Sequence, residues 1–164
     1  MAACQYCTPQ WLEESKKSYQ SNPLFREKLK KLSVKMCYRV KAEPAWGIDQ
    51  DILFGMFVDK GELTRIGFFA EEDALKEAEY IISATPREWK KILRKQSKFV
   101  TDFMLGKIKL EHGSKVGVLG VAPHANTVVD ILTQVDLQFP DEMSAEELAA
   151  YRSHIEEFRA NLGV

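Results

Sequence analysis

The uninterrupted apolar run "ILFGMFV", residues 52 to 58, constrains this chain more than any other stretch. Successive side chains of a β-strand point to opposite faces, so a strand solvated on one side alternates apolar and polar residues. This run has no polar position and therefore reads as a central strand. It is followed by "DKGELTRIGFF", in which Asp59 and Gly61 supply turn chemistry and the remainder reads as the returning strand of a hairpin. Two more strands are legible. In "MCYRVKA", Cys37, Arg39 and Lys41 alternate with Met36, Tyr38, Val40 and Ala42, and "YIISAT" at 80 to 85 is rich in β-branched residues. A loop carrying Pro44 and Gly47 separates the first of these from the hairpin.

Helices flank the strands. Thr8-Pro9 and Asn22-Pro23 each place a capping side chain before a proline suited to the first helical position. The first helix groups Trp11, Leu12 and Tyr19, and the second turns Phe25, Leu29 and Leu32 inward. "EEDALKEAE" reads as a short polar helix or link. In "TPREWKKILRKQ", Thr85 caps, Pro86 follows and Glu88 is placed to complete a capping box. "FVTDFMLGKIKLEHG" then changes its rhythm at Gly106, from helical spacing to the alternation of Ile108 and Leu110 with Lys107, Lys109 and Glu111. In "SKVGVLGVAPHANTVVDILTQV", Gly117, Gly120 and Pro123 interrupt the pattern, and helix is expected only around "NTVVDILTQV". Ser144 and Glu147 form a second capping box, after which Leu148, Tyr151, Ile155, Phe158 and Leu162 make an apolar stripe that the domain or a second copy must cover. The whole chain, 1–164, reads as a single domain.

The chemistry that this sequence lacks is as informative. Its 23 basic and 24 acidic residues nearly cancel, which argues against a nucleic-acid binder. No apolar run approaches the ~20 residues of a membrane-spanning helix. The start "MAACQYCTPQW" lacks the basic and apolar regions of a secretory signal, and three cysteines make no disulfide framework, so a cytoplasmic setting is expected. Cys4 and Cys7 have CxxC spacing but no second ligand pair, and they read as plain thiols at a frayed end. Cys37 reads as a small core residue. His112, His124 and His154 are scattered. There is no GxSxG elbow, no GxxxxGK[ST] loop and no GxGxxG after a strand, and the residues call for neither catalytic group, metal nor cofactor. Lys90, Lys91, Arg94, Lys95 and Lys98 surround Trp89, Ile92 and Leu93 on one helix. That surface reads as a solvated face, with transient contact to an anionic membrane as its alternative.

The order of these motifs over residues 51–132 resembles the sterol carrier protein-2 (sterol transfer) domain family. The likeness is carried by "ILFGMFVDKGELTRIGFF", by "EYIISATPREWKKIL", and above all by "FVTDFMLGKIKLEHG", which is similar to the family's apolar helix, glycine joint, lysine-bearing strand and closing glycine. The resemblance implies an α/β (α+β) fold, with a five-stranded mixed β-sheet and helices packed on one face. A hydrophobic tunnel between the layers would take a fatty acid, acyl-CoA, sterol or phospholipid. It implies Phe54, Met56, Phe68, Phe99, Phe103, Met104, Ile108, Leu110, Val128, Ile131 and Leu132 as the tunnel lining, and a carrier rather than an enzyme. Two stretches depart from the family: "RKQS" around Gln96 stands where a glycine is usual, and "SKVGVLGVAPHAN" intervenes before the last helix. The extension 1–45 and the helix 144–162 lie outside the likeness and are expected to lid the cavity or form a homodimer. "NLGV" at the end does not look like the peroxisomal tripeptide. The rival expectations are an interaction, regulatory or dimerisation module with a closed cavity, and an accessory subunit that presents lipid to an enzyme.

Overall fold

The β-branched and aromatic runs pair into one five-stranded sheet in the computed structural model, which describes residues 3–164. The elements in chain order are β1 (Ala3–Gln5), α1 (Pro9–Ser21), α2 (Pro23–Lys28), β2 (Ser33–Val40), β3 (Ile52–Asp59), β4 (Glu62–Phe68), α3 (Glu71–Glu77) and β5 (Tyr80–Ala84). After them come α4 (Pro86–Leu93), α5 (Phe99–Met104), β6 (Lys109–His112), α6 (Lys115–Val121), α7 (Ala125–Leu132), β7 (Asp136–Gln138) and α8 (Ala145–Leu162). The sheet order is β4-β3-β2-β5-β6, with β2 and β5 parallel and the other neighbours antiparallel. The apolar run, β3, lies inside the sheet between β2 and β4, and its residues from Ile52 to Val58 are all buried.

A strand buried on both sides needs two covers. On one face Val34, Met36, Ile52, Phe54, Met56, Val58 and Ile82 join a core that includes Trp11 of α1, Trp89 of α4, Leu132 of α7 and Tyr151 of α8. The second face is covered as well. Cys37, Leu53, Phe57 and Ile81 pack with Phe69, Ala74 and Ala78 at α3, which the sequence presented only as a polar link or helix. Beside this patch Arg39 donates from Nε to Glu111 at 2.7 Å and from Nη2 to Glu71 at 2.6 Å, with Asp51 at 3.6 Å. Burial disfavours the guanidinium charge, but these carboxylate bonds outweigh it and hold its pKa above the ordinary value.

Several local expectations change. The segment after Asn22 is helical only to Lys28, although Leu29 and Leu32 are still buried. At α4, Thr85 Oγ1 accepts from the Glu88 amide at 3.2 Å, but the Glu88 carboxylate approaches Lys91 instead of returning to Thr85, so only half of the expected capping box forms. Cys4 and Cys7 are not at a frayed end: β1 pairs in parallel with β7, and both thiols are buried. The stripe on α8 is covered by its own chain, where Tyr151, Ile155 and Phe158 are buried and Leu162 is exposed.

The glycine joint has a clear geometry. Gly106 takes φ +78°, while the Gly106 amide donates to Phe103 and the Lys107 amide to Asp102, which closes α5 in a Schellman arrangement. The strand begins later than expected, at Lys109, so Ile108 is buried in the connection before it. Helix α6 was hidden by its own glycines. A Cβ at Gly117 would stand 2.0 Å from the Tyr80 hydroxyl oxygen, so the missing side chain is what lets α6 pass over Tyr80. Gly117→Ala is expected to destabilise the protein by about 1–3 kcal/mol through overpacking. Adding Tyr80→Phe should recover part of that loss in urea unfolding, and equal stability of Gly117→Ala and wild type would contradict the close approach.

Candidate functional site

The strand alternation that buries β3 also builds one continuous apolar wall. Val34, Met36 and Tyr38 of β2, Phe54 of β3 and Ile82 of β5 point to the same side, because Tyr38 is paired with both Phe54 and Ile82 across the sheet. Opposite them stand Trp89, Ile92 and Leu93 of α4, and Val128, Val129 and Leu132 of α7. Phe99, Val121, Ala122, His124 and Ala125 close the end of the space, and Tyr6 and Leu32 complete its lining. Between these walls lies a cavity of about 80 Å³. Ligand pockets for small organic molecules are usually about 300–1,000 Å³. The space is therefore lined for an apolar guest but too narrow, in this conformation, for a whole acyl chain.

Aromatic rings connect the lining to the core behind it. Trp89 meets Tyr38 edge-on at 5.9 Å, Tyr38 stacks on Phe54 at 5.0 Å, Trp11 meets Phe54 at 5.4 Å, and Tyr6 lies 5.2 Å from Trp11. Both indole N–H groups are satisfied by backbone carbonyls: Trp11 Nε1 donates to the Leu132 carbonyl at 2.8 Å and Trp89 Nε1 to the Arg39 carbonyl at 2.9 Å. Burial raises the phenol pKa values of Tyr6 and Tyr38.

The structure brings Phe54, Phe99, Val128 and Leu132 together at this cavity and leaves the other expected lining residues elsewhere. Phe68 packs on Phe158 of α8 at 4.9 Å, and Met56 and Ile131 are closed into the core. Phe103 stacks behind Phe99 at 5.8 Å. Ile108 is buried, and half-buried Leu110 is paired with Ile82 in the sheet. Met104 is 56% exposed, because a helix as short as α5 turns Phe99 and Phe103 inward and leaves Val100, Met104 and Leu105 outside. The cavity is thus bounded mainly by α4 and α7 over β2, β3 and β5, with α5 contributing only Phe99 and β6 contributing no lining residue. Met36, Tyr38, Ile82, Trp89, Ile92 and Leu93 were missed as lining, although their alternation and helical spacing were visible.

The basic face of α4 is largely paired. Lys90 bonds Asp141 at 2.9 Å, Arg94 bonds Glu142 at 3.0 Å, and Lys95 bonds Asp130 at 2.7 Å. Among the described residues no group of His, Cys, Asp and Glu is arranged to hold a metal ion, and no helix is long and apolar enough to cross a membrane.

Solved structures with this architecture share little sequence with the chain. A Thermus thermophilus protein described as a candidate sterol carrier protein aligns at TM-score 0.70 with 15% identity, over 84% of this chain and 94% of its own. Sterol carrier protein 2 aligns at TM-score 0.65 with 16% identity, over 78% of this chain and 97% of its own. The fold is that of sterol carrier protein 2. The apo form of the Yarrowia lipolytica sterol carrier protein 2 gives TM-score 0.52 and 10% identity, over 75% of this chain and 89% of that one. No protein-family model and no curated protein sequence matches the chain.

In this sterol-carrier fold, buried neutral acids set an alkaline limit. Burial raises the pKa of Cys7 from about 9.0 and those of Tyr6, Tyr38 and Tyr151 from about 10.0, and it pushes Cys37 up to about 12. The unfolded chain then releases protons that the folded chain retains, so stability is full below about pH 9 and falls as pH rises above it. Urea midpoints measured from pH 8 to 10.5 should decline across that window. A flat profile would contradict the burial of these groups.

Proposed function

We propose that this protein binds a lipid non-enzymatically, enclosing one apolar chain between the sheet and helices α4 and α7. The observation that carries this reading is the cavity itself, whose lining is apolar apart from His124 and the phenol groups of Tyr6 and Tyr38. Sterol carrier protein 2 and the candidate carrier from Thermus have the same fold, which supports the same reading. Moving a sixteen-carbon chain out of water is worth about 12 kcal/mol at ~0.8 kcal/mol per CH₂, so enclosure alone is a sufficient driving force. Carrying a lipid needs no nucleophile and no bound metal.

The cavity volume sets the condition for this function. At about 80 Å³ the space must widen before a lipid fits, which on this reading requires α7 to shift away from the sheet. It is a short helix joined to α6 through the 3-10 turn Ala122–His124, its face toward the cavity is made of the apolar Val128, Val129 and Leu132, and its side-chain tie to the end of α4 is the exposed Lys95–Asp130 ion pair. The same small volume favours the second reading, in which the fold is a closed interaction module. Native mass spectrometry after incubation with a panel of fatty acids, sterols and phospholipids separates the two: one bound lipid per chain supports the carrier, and bare protein supports the closed module.

A substitution that fills the space gives a sharper test. Val128→Trp should weaken binding of a fluorescent acyl probe at least tenfold while the melting temperature stays within a few degrees of wild type, because the ring occupies volume without adding charge. Met104→Asp, at an exposed site, should leave the affinity unchanged. Equal binding by Val128→Trp and wild type would place the ligand somewhere other than this cavity.

A further inference from the structure

The apolar cavity has a polar neighbour. A cleft of about 330 Å³, lined by Lys95, Ser97, Lys98, Asn126 and Asp130, lies directly beside it. Ile92, Phe99, Ala125 and Val129 line both spaces, so the same side chains are the floor of the cleft and the roof of the cavity. A guest entering between α4 and α7 would pass from charged and hydroxyl groups to a largely apolar wall. That order suits an amphiphile whose head is anionic, since the cleft offers two ammonium groups, a hydroxyl and an amide against a single carboxylate.

The pairing in the cleft gives the entrance a moving part. Lys95, just past the C-terminal end of α4, has left-handed backbone at φ +60° and bonds Asp130 of α7 at 2.7 Å. This ion pair joins the two helices whose separation decides the cavity volume. Its side chains are 66% and 33% exposed, so water screens the pair and its net contribution is small. An incoming carboxylate can replace Asp130 as the partner of Lys95 without leaving a buried charge unpaired. The exchange would untie α7 from α4 as the head group arrives.

Resting on the lipid-binding reading above, we propose that the cleft seats the carboxylate of a single-chain fatty acid on Lys95 and Lys98, and that the Lys95–Asp130 ion pair is the latch which this carboxylate displaces. Recognition and opening are then one event. A neutral chain of equal length has the same apolar drive but no means of taking Lys95 from Asp130.

Calorimetric titration with dodecanoate and 1-dodecanol tests the proposal on the full chain. Wild type should bind dodecanoate about fivefold more tightly than the alcohol, with the difference shrinking as ionic strength rises. Lys95→Met and Lys98→Met should each weaken dodecanoate binding by up to about fivefold and leave 1-dodecanol no weaker. Asp130→Asn should tighten dodecanoate binding, because the competing carboxylate is gone. Opposite signs for Lys95→Met and Asp130→Asn distinguish a head-group seat from a latch alone, since both substitutions break the ion pair. Equal affinities for the two ligands, or the same sign for both variants, would overturn the proposal while leaving chain binding intact. Failure of both ligands to bind would overturn the lipid-binding reading with it.

Discussion

The indole N–H of Trp11 reaches the carbonyl oxygen of Leu132 at 2.8 Å inside the core, and the site depends on this contact. Leu132 ends α7, so its carbonyl lacks the partner that the next helical turn would supply. A buried carbonyl left unpaired costs about 1–3 kcal/mol, and Trp11 removes that penalty from a helix end that could not otherwise be buried. The same indole packs on Phe54, and Phe54 stacks on Tyr38. One side chain of the N-terminal extension thereby fixes the end of α7 relative to the middle of the sheet. Tyr6 and β1 reinforce it from below, where the Tyr151 hydroxyl donates to the Tyr6 carbonyl and β1 pairs with β7.

This anchoring is unequal along α7, and the inequality is what would let a narrow cavity serve a carrier. The C-terminal end is tied by a buried hydrogen bond between neutral groups. Nearer the cleft, Asp130 meets Lys95 through an exposed ion pair, which contributes far less to stability. On the N-terminal side of that pair the cavity-facing residues of α4 and α7 are Ile92, Leu93, Val128 and Val129, whose contacts are non-directional. Of the two ties the one to α4 is therefore the weaker. The sheet beneath is held more firmly, because β3 and β2 have hydrogen-bonded neighbours on both sides.

Much of this arrangement was legible in the chain. The unbroken run from Ile52 to Val58 required an interior strand, Thr8 and Ser144 marked helix starts where helices begin, and Gly106 marked the joint. The likeness to the sterol carrier family anticipated the five-stranded sheet. Elements that depend on a distant partner were not legible. β1 and β7 are three residues each and exist because they pair, with no local alternation to reveal them. Helix α6 contains two glycines that look like breakers until Tyr80 is seen against Gly117. The lining was only partly legible: Phe54, Phe99, Val128 and Leu132 reach the cavity, but apolar character at Met104 could not say which side of a short helix faces out. The acid partners of the basic helix were equally hidden, since Asp130, Asp141 and Glu142 come to α4 from far along the chain.

The central claim is that a lipid chain lies between the sheet and the α4–α7 layer. Isotope-filtered NMR with ¹³C-labelled dodecanoate measures this directly, through nuclear Overhauser contacts between chain methylenes and protein protons. The account predicts contacts to Tyr38, Ile82, Val128 and Leu132, with the protein still folded and one chain bound. Contacts confined to the exposed side chains Val100, Met104 and Leu105 would contradict it.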